Sequence, residues 1–186
     1  TSVAASYICV SAGKVESRVV FYNFSDVGKN SDCIVGARNY QKSLVTDLHF
    51  LSDDQVVLFS DNGFYIWKGM KQPKQILYRK AKAQIKSVFY DTNNIGMVLE
   101  SGNKRTPYRM DIYNLKGTKI SSFGFSNEYN DMQLSDGEIL FSSAKECGIF
   151  RKNGVLRFHA VIEEGVDYFF RGTKRHRYYL FNDSAI

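Results

Sequence analysis

The chain has 186 residues, of which 44% are hydrophobic and 24% are charged, with 25 Lys and Arg against 19 Asp and Glu. This composition is that of a packed globular chain and excludes a disordered, collagen-like or acidic solvating protein. The 14 Phe and 12 Tyr beside only 2 Pro favour strands over helices.

Apolar residues along the chain alternate, or run in short blocks that Gly, Asn, Asp or Ser close. A period of two with such turns is typical of strands, so the sequence predicts an all-β fold. The first segment, residues 1–40, is predicted to hold strands two to four of a four-stranded unit. These strands are 3–10, 18–24 and 33–37.

Three complete four-stranded meanders are predicted next, in segments 41–82, 83–127 and 128–163. Their turns include Asn62-Gly63, Asp136-Gly137 and Asn153-Gly154, pairs that tolerate the positive φ of tight hairpins. The predicted strands are 46–51, 55–59, 63–67 and 74–79; 85–90, 95–100, 108–114 and 119–125; and 131–134, 138–141, 147–151 and 155–161.

The last segment, residues 164–186, is predicted to supply strands one and two of a further unit, at 166–170 and 177–181. First strands therefore begin near residues 46, 85, 130 and 166, at spacings of 39, 45 and 36. Repeats of roughly 36 to 50 residues with four strands each are the signature of β-propeller blades.

A two-sheet sandwich is the alternative, because strands every 8 to 12 residues suit that fold as well. The recurrence of an apolar first strand followed by an Asp-rich turn favours the propeller. An open array of blades leaves apolar sheet faces exposed unless the ring closes. The sequence therefore predicts either a section of a longer propeller or a half that associates with another copy.

Five segments of the chain carry a family resemblance, namely 5–8, 19–28, 34–36, 59–64 and 85–90. In these segments the chain resembles an uncharacterised family of propeller-like proteins from Clostridia-type Gram-positive bacteria. The resemblance implies a propeller domain that faces outward from the cell, an extracytoplasmic location, and a membrane anchor absent from this chain. It implies no activity and no catalytic residues. WD-repeat signatures are absent, since Trp67 follows Ile66 and precedes Lys68.

Eleven of the 25 basic residues lie in two stretches, 68–86 and 171–177, so the remaining 14 face 19 acidic residues. Blade geometry predicts two sets of cations on opposite loop faces. The first basic set is Lys80, Lys82, Lys104 and Arg105, and the second basic set is Lys71, Lys74, Arg171, Lys174 and Arg175.

Clustered cations are typical of proteins that bind an anionic partner, here a cell-surface polymer or lipid headgroups, with nucleic acid less favoured. The alternative is that they are solvated loop charges and edge-strand Lys residues that oppose aggregation. Both interpretations stay open from the sequence.

The motifs of common enzymes are absent, including GxSxG, the P-loop and GxGxxG. Cys9, Cys33 and Cys147 have no CxxC spacing and predict buried small side chains rather than a disulfide framework. The three histidines have no metal-binding spacing, and His49 is predicted to be a hydrogen-bonded core residue. We expect no metal and no cofactor.

The sequence thus favours a non-enzymatic binding or scaffold domain of an extracytoplasmic anchored bacterial protein. The alternatives are a sensor or enzyme propeller whose site lies in a part of the protein outside this chain, and a binder of anionic polymer. A protein partner and self-association through open blade faces are both expected modes of interaction.

Overall fold

The computed structural model describes residues 2–11, 13–23, 34–40, 44–69, 74–174 and 176–182. The regular elements in these ranges are strands, and each pairs in antiparallel fashion with its neighbour in sequence. The described residues include no helix long and apolar enough to cross a membrane. The all-β prediction is confirmed.

The first compact unit, Thr1–Ile85, contains a three-stranded and a four-stranded sheet. The strands of the first sheet are β1 Ser2–Ser11, β2 Lys14–Asn23 and β3 Ile34–Tyr40. Those of the second are β4 Val45–Ser52, β5 Gln55–Ser60, β6 Gly63–Lys68 and β7 Lys74–Lys80.

The second compact unit, Lys86–Ile186, contains two four-stranded sheets and a two-stranded sheet, with Ile85 as the first residue of its first strand. The third sheet comprises β8 Ile85–Tyr90, β9 Asn94–Glu100, β10 Tyr108–Asn114 and β11 Lys119–Phe125. The fourth comprises β12 Asp131–Ser135, β13 Glu138–Ser142, β14 Glu146–Arg151 and β15 Leu156–Val161. The fifth comprises β16 Tyr168–Arg171 and β17 Tyr178–Phe181.

Each four-stranded sheet has its strands in sequence order, which is the meander of a propeller blade. The chain is therefore a propeller-like array of four-stranded antiparallel blades, and its separate sheets are not those of a two-sheet sandwich. Strands β8, β10 and β11 have the predicted bounds. Residues 24 and 33, which were predicted to be strand ends, lie outside the described residues.

Three predicted strand starts, 155, 166 and 177, lie one or two residues before the observed ones, and local hydrogen bonds explain the first two. Residue 155 belongs to a turn rather than to β15, since the Arg151 amide donates to the Val155 carbonyl at 2.9 Å. Val166 precedes β16, and its amide donates to the Ala144 carbonyl at 2.9 Å instead of pairing within the fifth sheet. Strand β2 begins four residues before the predicted position 18, because it pairs with β1 along its whole length.

Within the second unit, consecutive sheets pack face to face. Between the third and fourth sheets, Met110, Ile112 and Phe125 pack with Phe141 and Phe150 in one buried cluster. Between the fourth and fifth sheets, a smaller cluster holds Leu140, Cys147, Ile149, Val166 and Phe169. This layering is how blades bury their faces.

The first unit has its own core. Val19 of the first sheet packs with Val45, Val56, Leu58 and Trp67 of the second. The buried Ser17 hydroxyl accepts a hydrogen bond from the Val45 amide at 3.0 Å, so this polar group is satisfied inside the cluster.

Candidate functional site

The fifth sheet presents an exposed face made of four aromatic side chains. Tyr168 lies opposite Phe181 and Phe170 lies opposite Tyr179, and directly opposed residues of an antiparallel pair project to the same side. Their exposed fractions are 67% for Tyr168, 37% for Phe170, 45% for Tyr179 and 54% for Phe181. We call these four residues the aromatic face.

Three of the four rings of the aromatic face are in contact, with Phe170 between the other two. The centroids of Phe170 and Tyr179 are 5.6 Å apart, and those of Phe170 and Phe181 are 5.7 Å apart with nearly parallel planes. Offset ring pairs at such distances attract each other beyond simple area burial. The face is therefore a continuous apolar patch rather than a set of isolated side chains.

The opposite face of the fifth sheet is covered. Phe169 is buried against Leu140, Cys147 and Ile149 of the fourth sheet, and Tyr178 packs against the same cluster. The alternation of strand side chains thus divides the run Tyr168-Phe169-Phe170 into inward and outward residues. The fifth sheet is covered on one side only by the described part of the chain.

A groove of about 450 Å³ lies between the fourth and fifth sheets, beside β17. Cys147 pairs with Ala160 and Ile149 pairs with Phe158, which places these four side chains on the sheet face that lines the groove. Ile162, Phe169 and Leu180 complete its apolar lining, and Arg157 and Tyr178 supply its polar groups.

The polar groups of the groove form one network around Glu138. The Tyr178 hydroxyl and the Arg157 guanidinium both donate to the Glu138 carboxylate. Arg157 Nη2 also lies 3.4 Å from His176 Nδ1. The negative charge of Glu138 is therefore stabilised by hydrogen bonds from Tyr178 and Arg157.

The outer edge of the fifth sheet carries no charge. The sequence of β17 is Tyr-Tyr-Leu-Phe, whereas the last strand of every four-stranded sheet contains at least one cation, namely Lys74, Arg79 and Lys80 in β7, Lys119 in β11 and Arg157 in β15. Edge-strand Lys and other charges oppose the addition of further strands. Strand β17 lacks this protection.

A second, smaller groove of about 210 Å³ lies between the third and fourth sheets. The Tyr108 hydroxyl at its rim donates to Glu128 at 3.0 Å, and Lys86 pairs with Glu100 at 2.6 Å. Burial and, to a smaller extent, the charge of Glu146 raise the pKa of Tyr129, which also lines the groove, to about 12. This phenol stays protonated at neutral pH, and its ring packs against Phe125 and Phe141.

The members of the first basic set are all exposed, and no acidic side chain of the described residues forms an ion pair with them. Lys80 and Lys82 belong to the first unit, and Lys104 and Arg105 belong to the second. Each pair lies at a strand end or in a loop of its own unit, as the sequence places it. Whether they bind an anion stays a prediction.

The second basic set is differently placed. Lys71 and Arg175 lie outside the described residues, while Lys74 and Lys174 are exposed. Arg171 is largely buried, with Nη2 3.0 Å from Asp136 Oδ2 and Nη1 donating to the Ser135 carbonyl at 3.3 Å. Its charge is engaged in holding the turn between β12 and β13.

Among the described residues, His49 and Cys147 are engaged in hydrogen bonding or packing. His49 is half-buried and bonds to Asp47 at 2.7 Å, which agrees with a hydrogen-bonded histidine in an apolar strand. Cys147 is a free, buried thiol whose pKa is raised by burial, which keeps it protonated. Among the residues that the structure describes, no three His, Cys, Asp or Glu side chains are grouped to hold a metal ion.

Comparison with known families gives one match that covers the chain. The model of a family described as "Family of unknown function (DUF5711)" matches residues 1–186. No curated protein matches the chain.

Solved structures similar to this chain share its fold at low sequence identity. The crystal structure of BBS1N in complex with ARL6DN, soaked with mercury, is 11% identical with a TM-score of 0.60, over 96% of this chain and 62% of that one. The crystal structure of Saccharomyces cerevisiae Sqt1 is 12% identical with a TM-score of 0.62, over 96% of this chain and 55% of that one. The chain thus spans little more than half the length of these structures.

A crystal structure of the WD40 beta propeller domain of Doa1 is also similar, over 63% of this chain and 40% of that one, with 18% identity and a TM-score of 0.47.

Proposed function

Because the chain belongs to DUF5711, a family of unknown function, we propose its function from the surfaces that its fold exposes. The protein is a non-enzymatic binding scaffold, a propeller-like domain that presents the aromatic face to a protein partner. The single observation that carries this proposal is the exposure of four aromatic side chains on a sheet that the described chain covers on one side only.

The aromatic face has the composition of a protein-binding surface. Phe and Tyr are enriched in the cores of protein interfaces, whereas Lys and Glu are depleted there, and the face contains only the former types. Contiguous exposed apolar patches are uncommon on monomeric proteins and mark interaction sites. The expected partner surface is apolar, because side chains of two packed sheet faces interdigitate.

The polar groups beside the face favour binding over catalysis. Glu138 receives hydrogen bonds from both Tyr178 and Arg157, so it is not held ready for proton transfer to a substrate. A general acid or base needs access to the reacting group as well as a suitable pKa. The network instead fixes Tyr178 and, through it, the position of β17.

Photo-crosslinking tests the scaffold proposal. A photo-reactive phenylalanine derivative at Tyr179, in the protein expressed in its source cells, should give one discrete cross-linked species. Adding Phe181→Lys should lower the yield at least about tenfold, because losing a central interface aromatic costs on the order of 2 kcal/mol. The cross-linked partner is identified by mass spectrometry.

The matched control places the same photo-reactive residue at Tyr90, an aromatic residue that is 37% exposed on the third sheet of the same unit. This position should give no discrete species. Equal cross-linking from both positions, or a yield at Tyr179 that Phe181→Lys leaves unchanged, would show that the aromatic face is not the binding surface.

The exposed cations favour a second candidate function, the binding of an anionic polymer. Lys80, Lys82, Lys104 and Arg105 are solvent-exposed, and their charges are not neutralised by acidic side chains of the described residues. Uncompensated cations attract polyanions through a field that added salt screens.

We also propose that the domain acts outside the cytoplasm, in a parent protein held at the membrane by a segment outside this chain. The support is the resemblance of segments such as 19–28 and 59–64 to outward-facing domains of Gram-positive bacteria. Protease added to intact cells should degrade the domain in the parent protein; resistance that ends only on lysis would refute this location.

A further inference from the structure

We propose that the smaller groove, between the third and fourth sheets, binds a neutral sugar and takes a single pyranose ring. This inference goes beyond the scaffold function, because the groove has other residues than the aromatic face and would bind a small molecule. Its lining comes from two four-stranded sheets and from the segment that joins them, all within the second unit.

The groove has an apolar surface on which the C–H groups of a sugar ring can pack. Val98, Phe125 and Met132 line it, and all three are buried members of the core between the two sheets. Small-molecule sites are mostly apolar, with a few polar groups that fix the orientation of the ligand. The core therefore supplies the apolar part of such a site.

Tyr108 adds an aromatic ring to this lining. The side chain is half-buried, and among the described residues its ring contacts only that of Phe125, at 5.7 Å between centroids. The face of an aromatic ring carries partial negative charge, whereas the C–H groups of a pyranose carry partial positive charge. The ring of Tyr108 is therefore suited to contact the C–H face of a sugar.

Polar groups with unused hydrogen-bonding capacity line the same groove. The Ser87 hydroxyl, the Asn130 side-chain amide and the Tyr129 hydroxyl form no hydrogen bond within the part of the chain that the structure describes. A tyrosine whose ring is packed in the protein usually finds a partner for its hydroxyl. For Tyr129 that partner comes from what occupies the groove, and a sugar hydroxyl can both donate and accept.

The charged groups of the groove are already paired, which favours a neutral ligand. Lys86 Nζ lies 2.6 Å from Glu100 Oε1, and Glu128 accepts from the Tyr108 hydroxyl at 3.0 Å. These two hydrogen bonds raise the pKa of Lys86 and that of Tyr108, so both groups stay protonated at neutral pH. An anion would meet the carboxylate of Glu128, and a cation would meet the ammonium of Lys86.

Pairing does not exhaust the hydrogen-bonding capacity of these charged groups. An ammonium has three donors and a carboxylate has about four acceptor sites, of which one each is used in the pairs just described. Lys86 can therefore donate to a sugar hydroxyl while Glu128 accepts from another. A ring that carries several hydroxyls matches this mixture of donors and acceptors.

The volume of the groove sets the size of the ligand. The groove holds about 210 Å³. Since a water molecule occupies about 30 Å³ in the liquid, this space corresponds to roughly seven waters. One hexose ring is of that size, so further units of an oligosaccharide would extend into solvent.

An NMR titration of the full chain tests the proposal, with the methyl glycosides of glucose, galactose, mannose and N-acetylglucosamine as probes. At least one of them should bind saturably, with a dissociation constant on the order of 1 mM, as expected for so small a ligand. The amide signals of residues 86–87 and 128–130 should shift. Saturation transfer from the protein should be strongest for the ring C–H protons of the sugar.

Two matched variants each remove one phenolic hydroxyl and keep the ring. Tyr129→Phe should weaken binding of the best glycoside about fivefold, the effect of one hydrogen bond. Tyr168→Phe removes a hydroxyl from the fifth sheet, where the side chain is 67% exposed, and should leave binding unchanged. Circular dichroism confirms that both variants are folded.

A charge series tests the class of ligand in the unaltered protein. Glucuronate and tetramethylammonium should each bind at least about tenfold more weakly than the best methyl glycoside, because each places a charge beside a like charge of the groove. A preference for either ion would overturn the assignment to a neutral sugar.

Absence of saturable binding by all four glycosides, shifts confined to other parts of the chain, or equal affinity of Tyr129→Phe and the unaltered protein would also overturn it. Discrete cross-linking from Tyr179 combined with any of these results would leave the scaffold function standing and remove only the sugar site.

Discussion

At the scale of single residues, Asp111 is a buried charge of the third sheet that neighbouring side chains compensate. Its side chain is 1% exposed, and it accepts hydrogen bonds from Lys119 Nζ at 2.7 Å and Ser122 Oγ at 2.6 Å. Arg109 Nε lies 3.3 Å from Asp111 Oδ1, the oxygen that also accepts from Ser122. Burial opposes ionisation of Asp111, but these donors outweigh burial and lower the pKa of the carboxyl.

Asp111→Asn should therefore destabilise the protein in a pH-dependent manner. A carboxyl whose pKa is lower in the folded than in the unfolded state contributes stability above its unfolded value of about 3.9, and this contribution is lost as the pH falls. At pH 7 the variant should lose about 2 kcal/mol of unfolding free energy, as for hydrogen bonds to a charged group.

Urea unfolding at pH 7 and at pH 3 measures this difference. The difference in unfolding free energy between Asp111→Asn and the unaltered protein should narrow at pH 3. The control Asp53→Asn, which changes an exposed carboxylate in the turn between β4 and β5, should show a much smaller difference at pH 7. If Asp111→Asn and the unaltered protein differ in unfolding free energy by the same amount at both pH values, Asp111 acts through packing rather than through its charge.

At the scale of elements, strands were predictable because two local signals agree. Alternating apolar residues set the period, and Asn or Asp followed by Gly marks where a strand must reverse. The turn between β12 and β13 shows the agreement: Asp136 and Gly137 have φ values of 50° and 84°. Positive φ at both central residues is what a two-residue hairpin of matching twist requires.

Gly137→Ala should weaken the β12–β13 hairpin. A side chain at positive φ is strained by about 1 kcal/mol, although the space around Gly137 is open. The variant should melt a few degrees lower in differential scanning calorimetry. Asp136→Asn should keep the turn, since Asn tolerates this conformation, and an unchanged melting temperature of Gly137→Ala would contradict the turn assignment.

The strand starts at 155 and 166 were not predictable, because they depend on which carbonyl each amide meets. Val155 and Val166 are as apolar as strand residues, yet hydrogen bonds in the turn after β14 and to Ala144 place both outside strands. The type of a residue indicates its propensity for extended backbone conformation. The position at which a strand begins depends instead on the backbone hydrogen bonds that its residues form.

The aromatic face was not predictable for a related reason. The sequence marks 166–170 and 177–181 as strands, but alternation alone does not say which side another sheet covers. Phe169 and Phe170 are the same residue type, and only the packing of Phe169 on Cys147 and Ile149 distinguishes them. Charged loops were easier to identify, because Lys and Arg are exposed in almost any fold.

At the scale of the whole molecule, the formal charge of +6 describes a mildly acidic body with two basic stretches. Arg171 and Lys86 are engaged in ion pairs with Asp136 and Glu100. The cations still available for a polyanion are therefore those that the structure leaves exposed. The charge available to a binding partner therefore differs from the formal net charge of the chain.

Heparin affinity tests whether the first basic set binds polyanions. The variant in which Lys80, Lys82, Lys104 and Arg105 are all changed to Glu should elute from immobilised heparin at lower salt than the unaltered protein. The slope of log affinity against log salt should fall by up to about one for each cation removed, because each bound cation releases counterions.

The matched control changes two other exposed lysines of the second unit, Lys116→Glu and Lys145→Glu, and is compared with the pair Lys104→Glu and Arg105→Glu. Both variants change the net charge equally, so a general charge effect lowers their elution equally. If the first basic set binds heparin, the variant with Lys104→Glu and Arg105→Glu should elute at lower salt concentration than the Lys116→Glu and Lys145→Glu variant. Equal elution of the two variants would reduce the anion-binding function to the non-specific attraction of a basic protein.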